Sequence, residues 1–378
     1  MSGFDRAEYA ARTARAQALM ARAGLSALLL TTEPEVRYFT GFLTRFWESP
    51  TRPWFLVVPA GGAPVAVIPT IGADLMGRTW ISDIRSWSAP DLADDGVSLL
   101  ADTLTELVPR DGAIGLPDGH ETHARMPLAD LDRLRAALSP RRIAGDAGII
   151  RRLRMVKSDA EIAKIEAACA IAGRAFARVP EIAGGGVPLS DVFRGFQILC
   201  LEEGADWVPY LAGGAGPGGY ADVISPAREV PLSPGDVLML DTGLVRDGYF
   251  CDFDRNWSLG PAAPDVQAAH ARLIEATRAG FAATRPGATA ADLHHAMDRV
   301  LGGGTGAGRL GHGLGMSLTE WPSLIADDHT VLEEGMVLTL EPGIATPGGI
   351  LVHEENIVVT RSGARYLSSP SEPEIAVL

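Results

Sequence analysis

Apolar and polar positions in the first part of the chain alternate between two periods. From Arg6 to Ala23 apolar residues recur at helical spacing among arginines and glutamates, and Gly24 follows as a helix stop, so an amphipathic helix is predicted. The run LSALLL at 25–30 predicts a buried strand. WFLVV at 54–58 and APVAVI at 63–68 predict two more strands around a Gly-Gly turn. Helical spacing returns over 97–107, and AIGL at 113–116 predicts a short strand after it. This alternation predicts an α/β domain over residues 1–150. Residues 141–157, RRIAGDAGIIRRLRMVK, read as a basic, irregular connecting arm. Beyond it, Ser158 with Glu161 forms a capping-box signature ahead of a long helical repeat, so a second domain is expected over 151–378.

The second part repeats itself. LSPGDVLMLDTG at 232–243 and LEEGMVLTLEPG at 332–343 align without gaps, and six positions are identical. Each copy reads as a turn, a short buried strand, and a carboxylate (Asp241 or Glu341) followed two residues later by glycine. Each is followed by a second acidic strand, YFCDFDRNW with Asp252 in the first copy and LVHEENIVVT with Glu354 in the second. Two related halves facing each other would bring four carboxylates to one centre. Taken singly, Asp241 reads equally well as a strand-end carboxylate capping a turn. Four converging acids must share protons or bind cations. An available imidazole, His312 in GRLGHGLGM, favours cations, although a lone histidine between glycines also reads as a turn residue. Oxygen-rich ligation with one imidazole suits two divalent ions, Mn²⁺, Zn²⁺, Co²⁺ or Fe²⁺, able to activate water and polarise a carbonyl.

Composition narrows the classes. The 378 residues are 47% hydrophobic and 21% charged, which excludes a disordered chain. A formal charge of −14 argues against nucleic-acid and anionic-membrane partners. Three scattered cysteines write no disulfide framework or thiolate zinc site. The N-terminus does not read as a signal peptide, and the apolar runs are too short to span a bilayer. A soluble, cytoplasmic protein is expected. Other features carry less. His294 and His295 sit in a helical pattern, and His120 and His123 lie in a loop without nearby acids. The glycine-rich run 301–315 lacks the ending and the preceding strand of a phosphate loop.

In order and spacing, DTG, CDFDR, GHGLG, LEPG and HEEN resemble the pita-bread metallohydrolases (peptidase M24), which include aminopeptidase P, prolidase, methionine aminopeptidase and creatinase. The N-terminal domain and the IRRLRMVKSDAEIAKI arm are similar to the creatinase, prolidase and aminopeptidase P branch. The resemblance covers nearly the whole chain. It implies an α+β chain: a C-terminal pita-bread domain with an internal pseudo-twofold repeat, preceded by an α/β creatinase-type domain. It also implies that Asp241 chelates one metal, Asp252 and Glu354 bridge both, and His312 and Glu341 bind the other. Glu341 stands where the family has its general base, and a homodimer is expected. Glu354 rather than Glu355 is the implied ligand, and Glu355 reads as an acid on the opposite strand face.

Two departures bear on the substrate. The peptidases carry a histidine where this chain has Thr319, in TEWP, with Glu320 and Pro322 retained. A second substrate histidine normally lies upstream of the first ligand strand, where this chain has none between 124 and 269. Tyr220, Asp222 and Thr319 are the expected replacements beside Glu341. Glu320, Trp321, Arg45 and Trp47 are expected substrate contacts, the last two because this region reaches the other subunit's site in related dimers. Asp254 replaces a usual hydroxyl residue and also reads as a partner for Arg255. The leading expectation is a dinuclear hydrolase of an amide-type C–N bond in a short peptide or small molecule, of Xaa-Pro peptidase type. A non-peptide member stays open, similar to ectoine hydrolase, creatinase or dimethylsulfoniopropionate lyase. So does a non-catalytic binding protein using the same pocket.

Overall fold

The computed structural model describes residues 3–49, 52–303 and 308–378. The chain divides into two compact units, residues 1–154 and 155–378.

In the first unit, helix Arg6–Ala23 starts at Asp5, whose carboxylate accepts the Glu8 N–H. It ends at Gly24, which takes the left-handed conformation at φ 68°. Strands Ala27–Leu30, Phe55–Pro59, Val65–Pro69 and Ala113–Leu116 are buried at every position, which is why they read as unbroken apolar runs. Together with Asp83–Trp87 and Arg142–Gly145 they form one mixed six-stranded sheet. Leu100 and Leu104 of helix Val97–Leu107 and Leu131 and Leu134 of helix Leu128–Leu138 join its core. Residues 141–157 are not irregular: they contain strand Arg142–Gly145 and helix Ile149–Met155. The strand lies at a sheet edge, paired on one side only, so its charged and small residues give no buried-strand pattern.

The second unit is built twice over. Helices Asp159–Ala177 and Leu189–Glu202 precede strand Asp236–Arg246; helices Pro264–Ala283 and Ala290–Leu301 precede strand Val337–Leu340. The Ser158–Glu161 capping box is formed. The repeat extends to single hydrogen bonds. Leu232 accepts from Gly186 N and donates to Val187 O, while Leu332 accepts from Gly287 N and donates to Ala288 O. Gly235 and Gly335 turn the chain into the two strands at φ 91° and 89°. One sheet runs Ala376–Val377, Phe253–Ser258, Asp236–Arg246, Trp207–Pro217. The other runs Glu320–Ser323, His312–Gly313, Val337–Leu340, Glu355–Thr360, Gly363–Tyr366. Each repeated strand therefore pairs antiparallel with the strand that carries or adjoins its second acid.

Candidate metal centre

Asp241 lies in a strand that stays buried from Asp236 to Val245, so its carboxylate meets the interior. Register puts Asp254, not Asp252, directly across from it. Asp252 instead sits just before strand Phe253–Ser258, where its N–H donates to Asn356 Oδ1 at 2.9 Å. In the other half, Glu341 follows strand Val337–Leu340 and Glu354 precedes strand Glu355–Thr360. His312 reaches the same place because its neighbours are glycines. A Cβ on Gly311, at φ 142°, would lie 2.3 Å from the Thr339 carbonyl oxygen, and one on Gly313 would lie 2.3 Å from that of Trp321. The His312 N–H donates to Thr339 Oγ1 at 3.0 Å. Its Nδ1 lies 2.8 Å from Gly313 O and donates there, leaving Nε2 as the acceptor, 3.4 Å from Asp252 Oδ2.

Asp252, His312 and Glu354 each offer a ligand atom, all within 4.8 Å of one another, and all three residues are buried. Asp241 Oδ1, Asp252 Oδ1 and Glu354 Oε1 are buried oxygens without a hydrogen-bond donor. Burial first, then the neighbouring carboxylates, pushes Asp241 and Glu354 well above the usual carboxylate range. Burial and Asp254 push Asp252 up too, against the opposing charge of Arg309. Glu341 is raised by burial to about 7, with His312 pulling it down and Asp252 pushing it up. A crowd of buried acids that resists ionising, with donorless oxygens and a buried imidazole grouped with two of the acids, fits divalent cations of the oxygen- and nitrogen-liking kind.

The surrounding side chains sort themselves by contact. Thr319 accepts from Arg309 Nη2 through Oγ1 at 3.2 Å. Glu320 is buried, 3.1 Å from Lys157 Nζ, and accepts the Met316 and Ser317 N–H groups, so it shapes the turn after His312. Trp321 donates from its indole to Thr330. Tyr220 is buried, its hydroxyl accepting from Val352 N at 2.7 Å and donating to Asn256 Oδ1 at 3.2 Å. Asp222 is exposed and caps a turn through the N–H groups of Ile224 and Ser225. Within the first unit, Arg45 is exposed and ion-paired with Glu48. Trp47 is buried against Trp54 and under the Arg125 guanidinium. Arg255 does not pair with the Asp254 carboxylate. Adjacent strand residues face opposite ways, and the guanidinium goes to Glu355 at 3.1 Å.

Residue patterns did not single out several participants. Tyr210 donates from its hydroxyl to Asp241 Oδ2 at 3.0 Å, reaching it because Trp207–Pro217 pairs with the Asp241 strand. Asn356 holds the Asp252 backbone from a strand over 100 residues away in sequence. His353, inside the HEEN run, lies between Asp254 and Glu355. Only its place beside Glu354 was visible in the sequence.

Known proteins resemble the chain along its length. The model of metallopeptidase family M24 matches residues 163–361, and that of the creatinase/prolidase N-terminal domain matches residues 12–156. The probable dipeptidase PepE of Mycobacterium tuberculosis is 33% identical over 370 residues, 96% of this chain and 94% of its own. The Xaa-Pro dipeptidase of Pyrococcus horikoshii is 29% identical over 252 residues, 64% of this chain and 71% of its own. The crystal structure of dipeptidase PepE from Mycobacterium ulcerans matches with a TM-score of 0.85 at 31% identity, covering 99% of each chain.

Proposed function

The chain belongs to metallopeptidase family M24 and is a metal-dependent hydrolase of the pita-bread fold, and from that premise we propose that it cleaves Xaa-Pro dipeptides and similar short peptides. The observation that carries this reading is the buried cluster of Asp252, His312 and Glu354 with its donorless carboxylate oxygens. In this reading Asp241, Asp252, His312, Glu341 and Glu354 hold two divalent cations, Mn²⁺, Zn²⁺, Co²⁺ or Fe²⁺. Bound there, they would supply Lewis-acid polarisation of the scissile carbonyl and a lowered pKa for water.

The chain's own groups do the rest. Glu341 is assigned to take the proton of the attacking water on a carboxylate oxygen, as the family resemblance implies. It then returns that proton to the leaving nitrogen as the C–N bond breaks. Thr319, its hydroxyl held by Arg309, is assigned the hydrogen bond to the substrate that a histidine makes in the related peptidases. Glu320 and Lys157 keep the turn between His312 and Thr319 in shape. Tyr220 and Asp222 act at most through neighbours, since their polar atoms are already engaged. Arg45 and Trp47 are proposed as substrate contacts across a homodimer on the family resemblance. Three buried free cysteines are consistent with the reducing cytoplasm.

A second reading, a non-peptide amide as substrate, is favoured by Thr319 and by the absence of histidine between 124 and 269. Proline release from a panel of Xaa-Pro dipeptides and tripeptides tests the first. The protein is reconstituted with Mn²⁺ or Zn²⁺, and bound metal is quantified in the same sample. Cleavage with two metals bound is expected, and Asp252→Ala should lose both metal and activity. Two bound metals without cleavage would transfer the assignment to non-peptide amides. Unchanged stoichiometry in Asp252→Ala would remove that residue from the ligand set.

A further inference from the structure

His353 is almost completely enclosed, at 1% exposure, and sits between two carboxylates. Its Nδ1 lies 3.3 Å from Asp254 Oδ1, an ion-pair approach outside hydrogen-bond geometry, and its Nε2 lies 3.3 Å from Glu355 Oε1. Glu355 is held in turn by Arg255 at 3.1 Å, by Ser368 Oγ and by the Ser371 N–H. Asp254 belongs to the strand paired with the Asp241 strand, and Glu355 opens a strand of the other sheet. The chain Asp254–His353–Glu355–Arg255 therefore ties the two halves of the repeat together.

It does so at the ligands. The Asp254 oxygen that faces His353 also accepts the Glu354 N–H at 2.9 Å. The His353 N–H donates to Pro342 O at 3.1 Å, immediately after Glu341. One imidazole and one carboxylate thus fix the peptide that carries Glu354 relative to Asp252 on one side and Glu341 on the other. A ligand carboxylate cannot swing freely when the peptide on which it is mounted is held at its N–H and by the preceding side chain. Outer groups of this kind decide how well the inner ones are prepared for a cation.

We propose that Asp254 and His353 form a positioning pair that sets Glu354 across the two halves of the repeat and thereby tunes the affinity of the centre for divalent cations. This rests on the reading of Asp252 and Glu354 as ligands. Neither residue touches substrate in this assignment.

The test is a Co²⁺ titration of the metal-free, full-length protein, followed by calorimetry and by the visible absorption of bound Co²⁺. Wild type, His353→Phe, Asp254→Asn and the double variant are compared, with far-UV circular dichroism of each metal-free form as the folding control. Each single variant should bind Co²⁺ about 10–100-fold more weakly and alter its absorption bands. The double variant should be no weaker than the weaker single, because the pair acts as a unit. His353→Gln, which keeps one N–H donor, should recover part of the loss. If His353→Phe does not fold, His353→Gln and Asp254→Asn carry the same comparison. Wild-type affinity and spectrum in the single variants, or losses that simply multiply in the double variant, overturn the pair while leaving the ligand assignment standing. A wild-type protein that takes up no Co²⁺ overturns the ligand assignment and the pair with it.

Discussion

Glu341 keeps its proton to about 7 in the folded protein, where an ordinary glutamate gives it up near 4.5, and burial is the first cause. Asp241, Asp252 and Glu354 are shifted the same way. Between those two pH values the unfolded chain binds fewer protons than the folded one, so stability of the cation-free protein falls as pH rises through this range. Urea denaturation in the presence of a chelator should therefore give a higher midpoint at pH 5.5 than at pH 8. Saturating Mn²⁺ should flatten the difference, since bound cations require the ionised forms. A cation-free protein more stable at pH 8 would contradict the buried-acid account. At this scale, residue types and spacing were legible as a candidate ligand set from Asp241, Asp252, His312, Glu341 and Glu354. The partners of Asp254 were not, because His353 lies about 100 residues away in sequence and meets it only when two sheets come together.

Elements explain why a histidine between glycines can face the acids. Strand His312–Gly313 is only two residues long and is pressed between strands Glu320–Ser323 and Val337–Leu340. The turn that follows is held by Glu320, whose buried carboxylate pairs with Lys157. Removing one partner of such a buried pair typically costs about 3–5 kcal/mol, the Met316 and Ser317 N–H groups keeping part of the Glu320 charge supported. Lys157→Met should lower unfolding free energy by about that much, measured by urea denaturation of the metal-free protein, and Lys157→Met with Glu320→Leu should recover a part. A loss under about 1 kcal/mol would mean that the pair is solvated after all. Helices Arg6–Ala23, Val97–Leu107, Asp159–Ala177 and Ala290–Leu301 and the four fully buried strands of the first unit were legible in sequence, while helices Leu128–Leu138, Leu189–Glu202 and Pro264–Ala283 were not read from it. The Arg142–Gly145 strand and the Ile149–Met155 helix were not, since an edge strand and a short helix leave little pattern.

For the whole molecule, the proposed ligand set makes cation binding and folding one equilibrium. A ligand set of mutually repelling acids destabilises the cation-free chain, and occupancy should return that stability as RT ln(1 + [L]/Kd), about 2.7 kcal/mol at a hundredfold excess over Kd. Melting temperature should rise with the logarithm of Mn²⁺ concentration, fall on adding chelator, and lose this dependence in Asp252→Asn. A melting temperature indifferent to Mn²⁺ would argue against cations at these acids. The sequence by itself determined the repeat, the acids and imidazole at matched positions in it, and the family, because each is a matter of residue type and local spacing. Only the tertiary structure decided that Asp254 rather than Asp252 stands across from Asp241, that Tyr210 and Asn356 hold Asp241 and Asp252, and that His353 lies between Asp254 and Glu355. Those contacts arise from strand register and from the meeting of two sheets, which no local pattern encodes.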